Sequence, residues 1–390
     1  MIIENTPYTP ESVGYDSEQL TVLHQFFQEQ MDKGILRAAN YALARDGKLF
    51  AAASLGKQSY NESDERPMNI EVIYPICSIT KLFTAVAIFK LVEMGKVRMS
   101  QPVSEWISEF AKPPFSGINI AHLLSHTSGF AVDPHAYTYE GDNHYDLIEK
   151  AFESGDINWI RVALGVDLCF ETGKEWGYST FGYSILAEII RRASGMTEKE
   201  FMTKYFFEPC QMTDTSYEVN PEKLDRMIVN HKRMEQHIED MKNKKEPDSM
   251  EQLWQSIPYG GSGIFSTTYD LLKFGNMLMN YGTYQGKRVL GRKTVEKLAS
   301  VYTTEEVLDK CWGNPIGYYR RYGLGPDKRC NEDCLYSPET YFHEGAGRCA
   351  LIIDPTEKMV AVYLIPYIDG DLWDPIPIWN AHSVIWAGLF

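Results

Sequence analysis

Strand-like patterns near both ends of the chain, with helical periodicity between them, constrain the possible fold most strongly. Residues 38–45 and 48–54 flank Asp46-Gly47, a dipeptide typical of a two-residue hairpin turn. Residues 349–353 and 359–365 flank a short polar turn and predict a second hairpin. We therefore expect one sheet built from both ends of the chain, with helices inserted between its halves.

The predicted fold class is α/β plus α, in which an antiparallel sheet is flanked by helices and carries an inserted all-helical region. We expect residues 1–100 and 265–390 to form the sheet domain and residues 101–264 the helical domain, with the active site between them. Helical patterns cover residues 17–33, 78–94, 120–126, 180–193 and 375–390, and a capping box at Thr197 and Glu200 opens a further helix. The charged segment 223–245 predicts a solvated helix or excursion.

Composition excludes several classes of partner. The 390 residues contain 53 Asp and Glu against 38 Lys and Arg, which gives a formal net charge of −15. A surface this acidic repels phosphate, so we expect neither nucleic acid nor a membrane surface as a partner. No secretory signal or membrane span is visible, and the seven cysteines are odd in number. We therefore predict a cytoplasmic protein with reduced thiols.

Ser78-Ile79-Thr80-Lys81 is the motif that points to chemistry. It opens a helix that is apolar on nearly every side, and such a helix is buried. Lys81 lies three residues after Ser78 and therefore on the same helical face. An amine in a low dielectric loses its charge more easily, and a neutral lysine can accept a proton from a neighbouring hydroxyl. The helix N-terminus favours an anion at Ser78, so this serine is a candidate nucleophile for acyl transfer.

A structural interpretation is also open, in which Ser78 is an N-cap and Lys81 a surface lysine. Ser-x-x-Lys recurs by chance at Ser54 and Lys57, where no helix follows. The catalytic interpretation is favoured by further motifs that follow Ser78 in a particular order. These are residues 122–129 (HLLSHTSG), 178–180 (YST), 260–267 (GGSGIFST) and 343–345 (HEG).

This ordered set resembles the serine β-lactamase and penicillin-binding-protein superfamily. The branch concerned contains class C β-lactamases, family VIII carboxylesterases and D-aminopeptidases, and the resemblance covers about residues 20–385. It implies a β-lactamase/transpeptidase-like fold, Ser78 as the acylated nucleophile and Lys81 as its partner amine. It also implies Tyr178 as general base and proton shuttle. Whether Lys81 or Tyr178 deprotonates the serine is disputed for this superfamily, so we treat them as one coupled pair.

The resemblance further implies that His343-x-Gly345 is the strand element beside the nucleophile. The backbone N–H groups of Ser78 and Ala346 would then form the oxyanion hole. Glu344 puts a carboxylate within this element, and its charge would disfavour substrates that carry a carboxylate unless the nearby Arg348 offsets it. Alternatively, Arg348 binds an acidic group of the substrate in a bidentate manner, or is simply a solvated side chain.

Thr180 departs from the family pattern, because an asparagine that binds the lysine and the substrate amide is expected there. Threonine lacks the two-donor amide. This weakens the case for β-lactam or peptide substrates and favours esters or small amides.

Metal chemistry is not favoured. His122 and His126 have the i,i+4 spacing that could bind zinc, but the glutamate of a His-Glu-x-x-His motif is missing, so we interpret both as packing residues. Cys330 and Cys334 lack the usual two-residue spacing, and thiols are favoured over a metal site or a disulfide. We expect no metal and no organic cofactor.

The sequence thus predicts a serine hydrolase that cleaves a small ester or amide through an acyl-enzyme on Ser78, with a small-molecule ester, amide or peptide as its substrate. Alternatives within enzymes are a D-stereospecific peptidase or amidase, an acyltransferase and a weak β-lactamase. The alternative from another class is a catalytically poor, penicillin-sensor-like binding module, which the threonine at position 180 keeps open.

Overall fold

The computed structural model describes residues 1–130, 144–153, 155, 158–309, 311, 319–330, 334–346, 348–365 and 378–390, with the backbone alone for residues 144–146, 378 and 379. The strands are β1 (Ile2–Ile3), β2 (Ala38–Arg45), β3 (Lys48–Gly56), β4 (Tyr74–Pro75), β5 (Glu175–Trp176), β6 (Phe265–Ser266), β7 (Thr283–Tyr284), β8 (Lys287–Arg288), β9 (Leu308–Asp309), β10 (Tyr341–Gly345), β11 (Cys349–Asp354) and β12 (Met359–Leu364). The helices are α1 (Ser17–Asp32), α2 (Thr80–Glu93), α3 (Ile120–Leu124), α4 (His144–Glu153), α5 (Trp159–Ala163), α6 (Thr180–Ser194), α7 (Glu198–Met202), α8 (Lys232–Lys242), α9 (Ser249–Ser256), α10 (Thr268–Met279), α11 (Arg292–Leu298) and α12 (Ile378–Trp386).

The main sheet joins the two ends of the chain, as predicted. Among the described residues its order is β1-β3-β2-β12-β11-β10, and every neighbouring pair is antiparallel. The junction between the N- and C-terminal segments is the pair β2–β12, in which Arg45 lies opposite Met359 and Asn40 opposite Leu364. The expected domain boundaries at residues 100 and 265 stay a prediction.

Both predicted hairpins are confirmed. Asp46 and Gly47 have φ values of 51° and 74°, the left-handed pair that a type I′ turn needs and that Asp-Gly favours. The second hairpin joins β11 to β12 and pairs Asp354 with Met359. Every residue of β12 is buried, because helices cover both faces of the sheet.

Two hydrophobic cores lie on the two faces of the sheet. One face packs against α10, which contacts β2, β11 and β12, and this core continues through α2 and α6. The other face packs against the N-terminal α1 and the C-terminal α12, which contact each other. The predicted closing helix is thus confirmed over Ile378–Trp386 and ends four residues earlier than predicted; residues 375–377 lie outside the described residues.

The apolar helix α2 is buried on all sides, as its sequence predicts, including the polar side chains of Thr80, Lys81 and Thr84. Its N-terminal boundary differs from the prediction. Ser78 lies in a 3₁₀ turn over residues 77–79 that leads into α2, and no side chain caps the helix. The interpretation of Ser78 as an N-cap is therefore wrong.

The other helices follow the predictions closely. α3 ends at Leu124, before the left-handed His126. α6 ends at the left-handed Gly195, and the capping box between Thr197 and Glu200 is present at the start of α7. The charged segment contains α8, in which only Ile238 is buried. No helix in the described ranges combines the length and the apolarity that crossing a bilayer requires.

Gly275 of helix α10 lies directly against the sheet. A Cβ atom there would lie 2.6 Å from Val360 Cγ1 and 2.8 Å from Leu351 Cδ1. We expect Gly275→Ala to lower the free energy of unfolding by about 1–3 kcal/mol through overpacking, although helix propensity alone would favour alanine by about 1 kcal/mol. Urea denaturation measures the change. Gly117→Ala, whose Cβ would enter open space, is the control, and an unchanged or raised stability of Gly275→Ala would contradict the argument.

Candidate active site

Lys81 lies at the centre of the site and is inaccessible to solvent. Its Nζ donates to Ser78 Oγ at 3.1 Å, to Thr180 Oγ1 at 2.9 Å and to the carbonyl oxygen of Gly261 at 3.0 Å. An ammonium group has three N–H donors, and these three oxygens match them. The predicted contact between Ser78 and Lys81 is therefore present, in a buried environment.

The backbone before Ser78 adopts a conformation that is rare for a residue with a side chain. Cys77 has a φ of 47°, which costs on the order of 1–3 kcal/mol for a non-glycine residue unless the surroundings hold it. The end of β10 supplies such surroundings. A Cβ on Gly345 would lie 2.5 Å from the carbonyl oxygen of Ile76 and 3.1 Å from Cys77 Cβ. Only glycine allows β10 to approach the Ser78 turn this closely.

Helix α6 places Thr180 against Lys81. Ser179 is the N-cap of α6, and its hydroxyl accepts a hydrogen bond from the backbone N–H of Gly182. Thr180 is therefore the first residue of the helix, and its side chain points toward α2. The threonine that replaces the expected asparagine keeps an oxygen acceptor for Lys81.

Gly261 is a site residue whose contact with Lys81 the sequence did not reveal. Its carbonyl oxygen accepts from Lys81, and that of the preceding Gly260 accepts from Thr84 Oγ1 at 2.6 Å. A Cβ on Gly261 would lie 2.5 Å from Thr180 Cγ2 and 3.3 Å from Lys81 Nζ. The Gly-Gly-Ser-Gly run was the available signal, but the sequence did not show what its carbonyl groups bind.

Tyr178 presents its ring face to Lys81, whose Nζ lies 4.7 Å from the ring centroid. The ring of His126 packs against that of Tyr178, with the two centroids 4.4 Å apart. The ring of Trp176 lies on the same tyrosine, with a centroid distance of 6.1 Å. His126 Nδ1 also accepts from the backbone N–H of Ser179 at 3.1 Å. His126 thus connects the HLLSHTSG motif to the Tyr178 segment, and its packing role agrees with the interpretation preferred over zinc binding.

Strand β10 brings His343 to the same site. Its ring centroid lies 6.5 Å from that of Tyr178. Nδ1 lies 2.7 Å from the carbonyl oxygen of Glu344 and therefore carries the proton, and Nε2 lies 3.5 Å from the hydroxyl of Tyr322. Burial, together with the charge of Lys81, lowers the pKa of His343 to about 3. The same causes hold the pKa of His126 well below its ordinary value, so both rings stay neutral at pH 7.

The residues after His343 follow the turn from β10 to β11. Ala346 has an exposed side chain. Arg348 has a φ of 57°, and its backbone N–H donates to the carbonyl oxygen of Gly345 at 2.8 Å. Gly345 itself lies against the Ser78 turn, so Ala346 directly follows a residue in contact with that turn. The roles proposed for Ala346 and Arg348 stay predictions.

The carboxylate of Glu344 is placed differently from our expectation. Alternate residues of a strand face opposite sides of a sheet, so Glu344 points away from the face that carries His343 and Gly345. Its partner is Arg329, whose Nη2 lies 2.5 Å from Glu344 Oε2. Arg329 therefore offsets this charge, and no pattern in the sequence indicated this contact across the sheet edge.

A buried network of ion pairs extends from Arg329 to a position behind Trp176 and Tyr178. Arg329 Nε and Arg320 Nη2 approach Asp327 Oδ2 at 2.8 Å and 2.6 Å. The guanidinium of Arg320 lies over the ring of Trp176, with Cζ 4.6 Å from its centroid. These arginine charges hold the pKa of the Asp327 carboxyl below its ordinary value against the effect of burial. These ion pairs thus support the ring of Trp176, which packs beside Tyr178.

The metal and thiol candidates lie outside this arrangement. His122 Nδ1 accepts from the backbone N–H of Asn119 at 3.3 Å, so His122 completes the capping box of α3. No group of three or more metal-ligating side chains lies together within the part of the chain that the structure describes. All seven cysteines belong to that part and none forms a disulfide; Cys330 and Cys334 are half-buried.

Comparisons with known proteins give the family and the fold of this chain. A family model described as Beta-lactamase matches residues 23–366. Penicillin-binding protein 4* of Bacillus subtilis (strain 168) is 28% identical over 55% of this chain and 47% of its own length, so the chain spans about half of that relative. The putative D-alanyl-D-alanine carboxypeptidase of Salmonella agona (strain SL483) is 24% identical over 92% of this chain and 85% of its own length. The crystal structure of a family VIII carboxylesterase superimposes with a TM-score of 0.71 at 18% identity and covers 100% of both chains, which confirms the predicted fold.

The buried neutral histidines make stability depend on pH. In the unfolded chain a histidine has a pKa of about 6.5, whereas burial lowers that of folded His343 to about 3. Between these values the unfolded state binds more protons, so stability is lost as the pH falls below about 6.5. From pH 6.5 to pH 5.0 we expect His343→Gln to lose about 1–2 kcal/mol less than the unchanged protein. Urea denaturation at both pH values measures this difference.

His237→Gln is the matched control, because His237 is exposed on α8. It should keep the pH dependence of the unchanged protein. An equal loss of stability in His343→Gln and in the control would show that His343 is not buried as a neutral ring.

Proposed function

Because the chain belongs to the β-lactamase family, whose relatives and structural neighbours indicate an enzyme of the serine-hydrolase type, we propose that it cleaves a small ester or amide through an acyl-enzyme on Ser78. The observation that carries this proposal is the 3.1 Å contact between the buried Lys81 Nζ and Ser78 Oγ. A lysine inaccessible to solvent beside a half-buried serine fits an activated nucleophile better than a surface cap.

The first chemical step is attack by Ser78 Oγ on the substrate carbonyl carbon. A new C–O bond forms, and the proton of the hydroxyl passes to the pair formed by Lys81 and Tyr178. The negative charge that develops on the carbonyl oxygen is held by the backbone N–H groups of Ser78 and Ala346. Removing one such donor typically slows acyl transfer by 10²–10³-fold.

The second step breaks the bond to the leaving group, which takes the proton from the same pair, and leaves the acyl group on Ser78. Water then attacks the acyl carbon, its proton passes to the pair, and Ser78 Oγ recovers a proton as the acid departs. Lys81 Nζ contacts Ser78 Oγ at 3.1 Å and lies 4.7 Å from the ring centroid of Tyr178, so both members of the pair lie at the nucleophile.

Esters are favoured over lactams because of Thr180. Its hydroxyl oxygen accepts from Lys81 at 2.9 Å, and a hydroxyl carries one donor where an asparagine amide carries two. At position 180 the side chain thus offers at most one donor to the carbonyl oxygen of a substrate amide, where the asparagine would offer two. The similarity to a putative D-alanyl-D-alanine carboxypeptidase supports peptide hydrolysis as the second candidate.

The two Ser-x-x-Lys motifs of this chain provide a matched test of the nucleophile. We expect Ser78→Ala to lower the turnover of p-nitrophenyl butyrate by at least about 10³-fold. Ser54→Ala, in the motif on strand β3, should leave it unchanged. Intact-mass analysis after exposure to a fluorophosphonate should find a single adduct, on Ser78. An adduct elsewhere would contradict the proposal, and labelling of Ser78 without turnover would favour the binding module.

Substitution of Thr180 tests the substrate preference. We expect Thr180→Asn to raise the rate on nitrocefin relative to p-nitrophenyl butyrate by about tenfold or more, because the new amide supplies the missing donor. Thr180→Ser, which keeps one hydroxyl, is the control and should leave the ratio unchanged. If the unchanged protein already cleaves nitrocefin faster than esters, the preference for esters is wrong.

A further inference from the structure

A buried glutamate lies beside the segment that binds Lys81. Glu198 is the first residue of α7, and only 7% of it is exposed. Its Oε1 lies 3.1 Å from Thr84 Oγ1, and the hydroxyl of Thr84 donates to the carbonyl oxygen of Gly260 at 2.6 Å. Among the described residues no cation pairs with this carboxyl group. The steps described for hydrolysis leave this buried acid without a role.

Helix α2 binds two successive carbonyl groups of the Gly260–Gly261 segment. Thr84 and Lys81 are three residues apart and therefore lie on one face of the helix. Thr84 binds the carbonyl oxygen of Gly260, and Lys81 binds that of Gly261 at 3.0 Å. Gly260 also packs against α6, since a Cβ there would lie 2.3 Å from the carbonyl oxygen of Tyr183. The place of one acceptor of Lys81 thus depends on the neighbouring contact made by Thr84.

The single hydroxyl proton of Thr84 links this contact to the state of Glu198. A hydroxyl donates one hydrogen bond and accepts others. Thr84 gives its proton to Gly260 in the shorter of its two contacts. The contact with Glu198 is then a hydrogen bond only if the carboxyl group is protonated and donates to Thr84 Oγ1. An ionised carboxylate would instead compete with the carbonyl group of Gly260 for the one proton.

The surroundings of Glu198 favour the protonated form. Burial raises the pKa of Glu198 to about 7, whereas the hydroxyl groups of Tyr217 and Thr84 act in the opposite direction. Burial, followed by the charge of Glu198, holds the pKa of Tyr217 well above its ordinary value, so this phenol stays neutral. Glu198 therefore holds its proton in weak acid and loses it as the pH rises through about 7.

The charged groups on the elements packed against α7 are bound to other partners or exposed. These elements are α2, α6 and residues 203–207. On α2, Lys81 lies one turn before Thr84, and its ammonium group donates to three oxygens. The others are Glu188, Arg191 and Arg192 on α6, which pair with one another, Lys199 and Glu200 on α7, which bind Glu218 and Thr197, and the exposed Lys204.

We propose that Glu198 is a positioning residue for the reaction at Ser78, acting through Thr84 on the segment that supplies a carbonyl group to Lys81. The inference rests on the proposed function, because it concerns the reactivity of the same serine. The carboxyl group donates to Thr84, which keeps the proton of Thr84 on Gly260. Loss of the carboxyl proton turns the hydroxyl of Thr84 toward Glu198, frees the carbonyl group of Gly260 and displaces an acceptor of Lys81.

The rate of fluorophosphonate labelling of Ser78 in the full chain, followed by intact mass at pH 6, tests the role of the hydroxyl. We expect Thr84→Val, which keeps the shape of the side chain, to slow labelling by about tenfold or more, since small displacements of a catalytic group have effects of this size. Thr84→Ser restores the hydroxyl and should restore most of the rate. A Thr84→Ser variant as slow as Thr84→Val would overturn the proposal.

Thr294→Val is the matched control. Thr294 Oγ1 donates to Glu93 Oε1 at 2.5 Å, so this pair also joins a threonine to a glutamate. Glu93 ends α2, twelve residues after Lys81 and thus about 18 Å along the helix. We expect the control to label at the rate of the unchanged protein. Equal rates for Thr84→Val and Thr294→Val would overturn the proposal.

The pH dependence of labelling tests Glu198 itself and keeps the test decisive if Thr84→Val fails to fold. The amide of Glu198→Gln can donate to Thr84 at any pH, whereas the carboxyl group can do so only below about pH 7. Between pH 6 and pH 8.5 we therefore expect the labelling rate of the unchanged protein to fall about tenfold relative to that of Glu198→Gln. A purely structural role of Glu198 would not produce this difference.

The outcomes separate this proposal from the proposed function. Ser78 that stays unlabelled in the unchanged protein would refute the proposed function, and the role of Glu198 with it. Labelling of Ser78 with the same pH dependence in the unchanged protein and in Glu198→Gln would refute the role of Glu198 alone.

Discussion

The buried ammonium group of Lys81 is the interaction on which the arrangement of the site depends. Its three acceptors come from the turn before α2, from the start of α6 and from the Gly260–Gly261 segment. Leaving any N–H of a buried charge without an acceptor is costly. The three segments must therefore meet at this one atom, although Gly261 lies 180 residues from Lys81 along the chain.

Close approach of backbone segments makes this meeting possible. Gly261 lies where a Cβ would collide with Thr180, and Gly345 where it would collide with the backbone before Ser78. Gly261 removes a side chain where its segment meets α6 and α2, and Gly345 removes one where β10 meets the turn before α2. The strained backbone of Cys77 is held between the buried helix and the end of β10, so the nucleophile turn is positioned from both sides.

The neutral histidines and the ion pairs behind them form the outer part of the same arrangement. His126 packs on Tyr178, and Arg320 stacks on Trp176 beside it. The ion pairs of Arg320 and Arg329 with Asp327 compensate charges that would otherwise be buried alone.

The sequence by itself determined the elements whose signals are local. Periodicity of two located both hairpins, the apolar run of α2 predicted its burial, and the spacing of Ser78 and Lys81 placed them on one side of a helix. Only the tertiary structure decided that Gly261 supplies a carbonyl to Lys81, that Arg329 pairs with Glu344 and that His126 supports Tyr178. These contacts join residues on different elements, and neither periodicity nor spacing carries information about which side chains meet when separate elements pack.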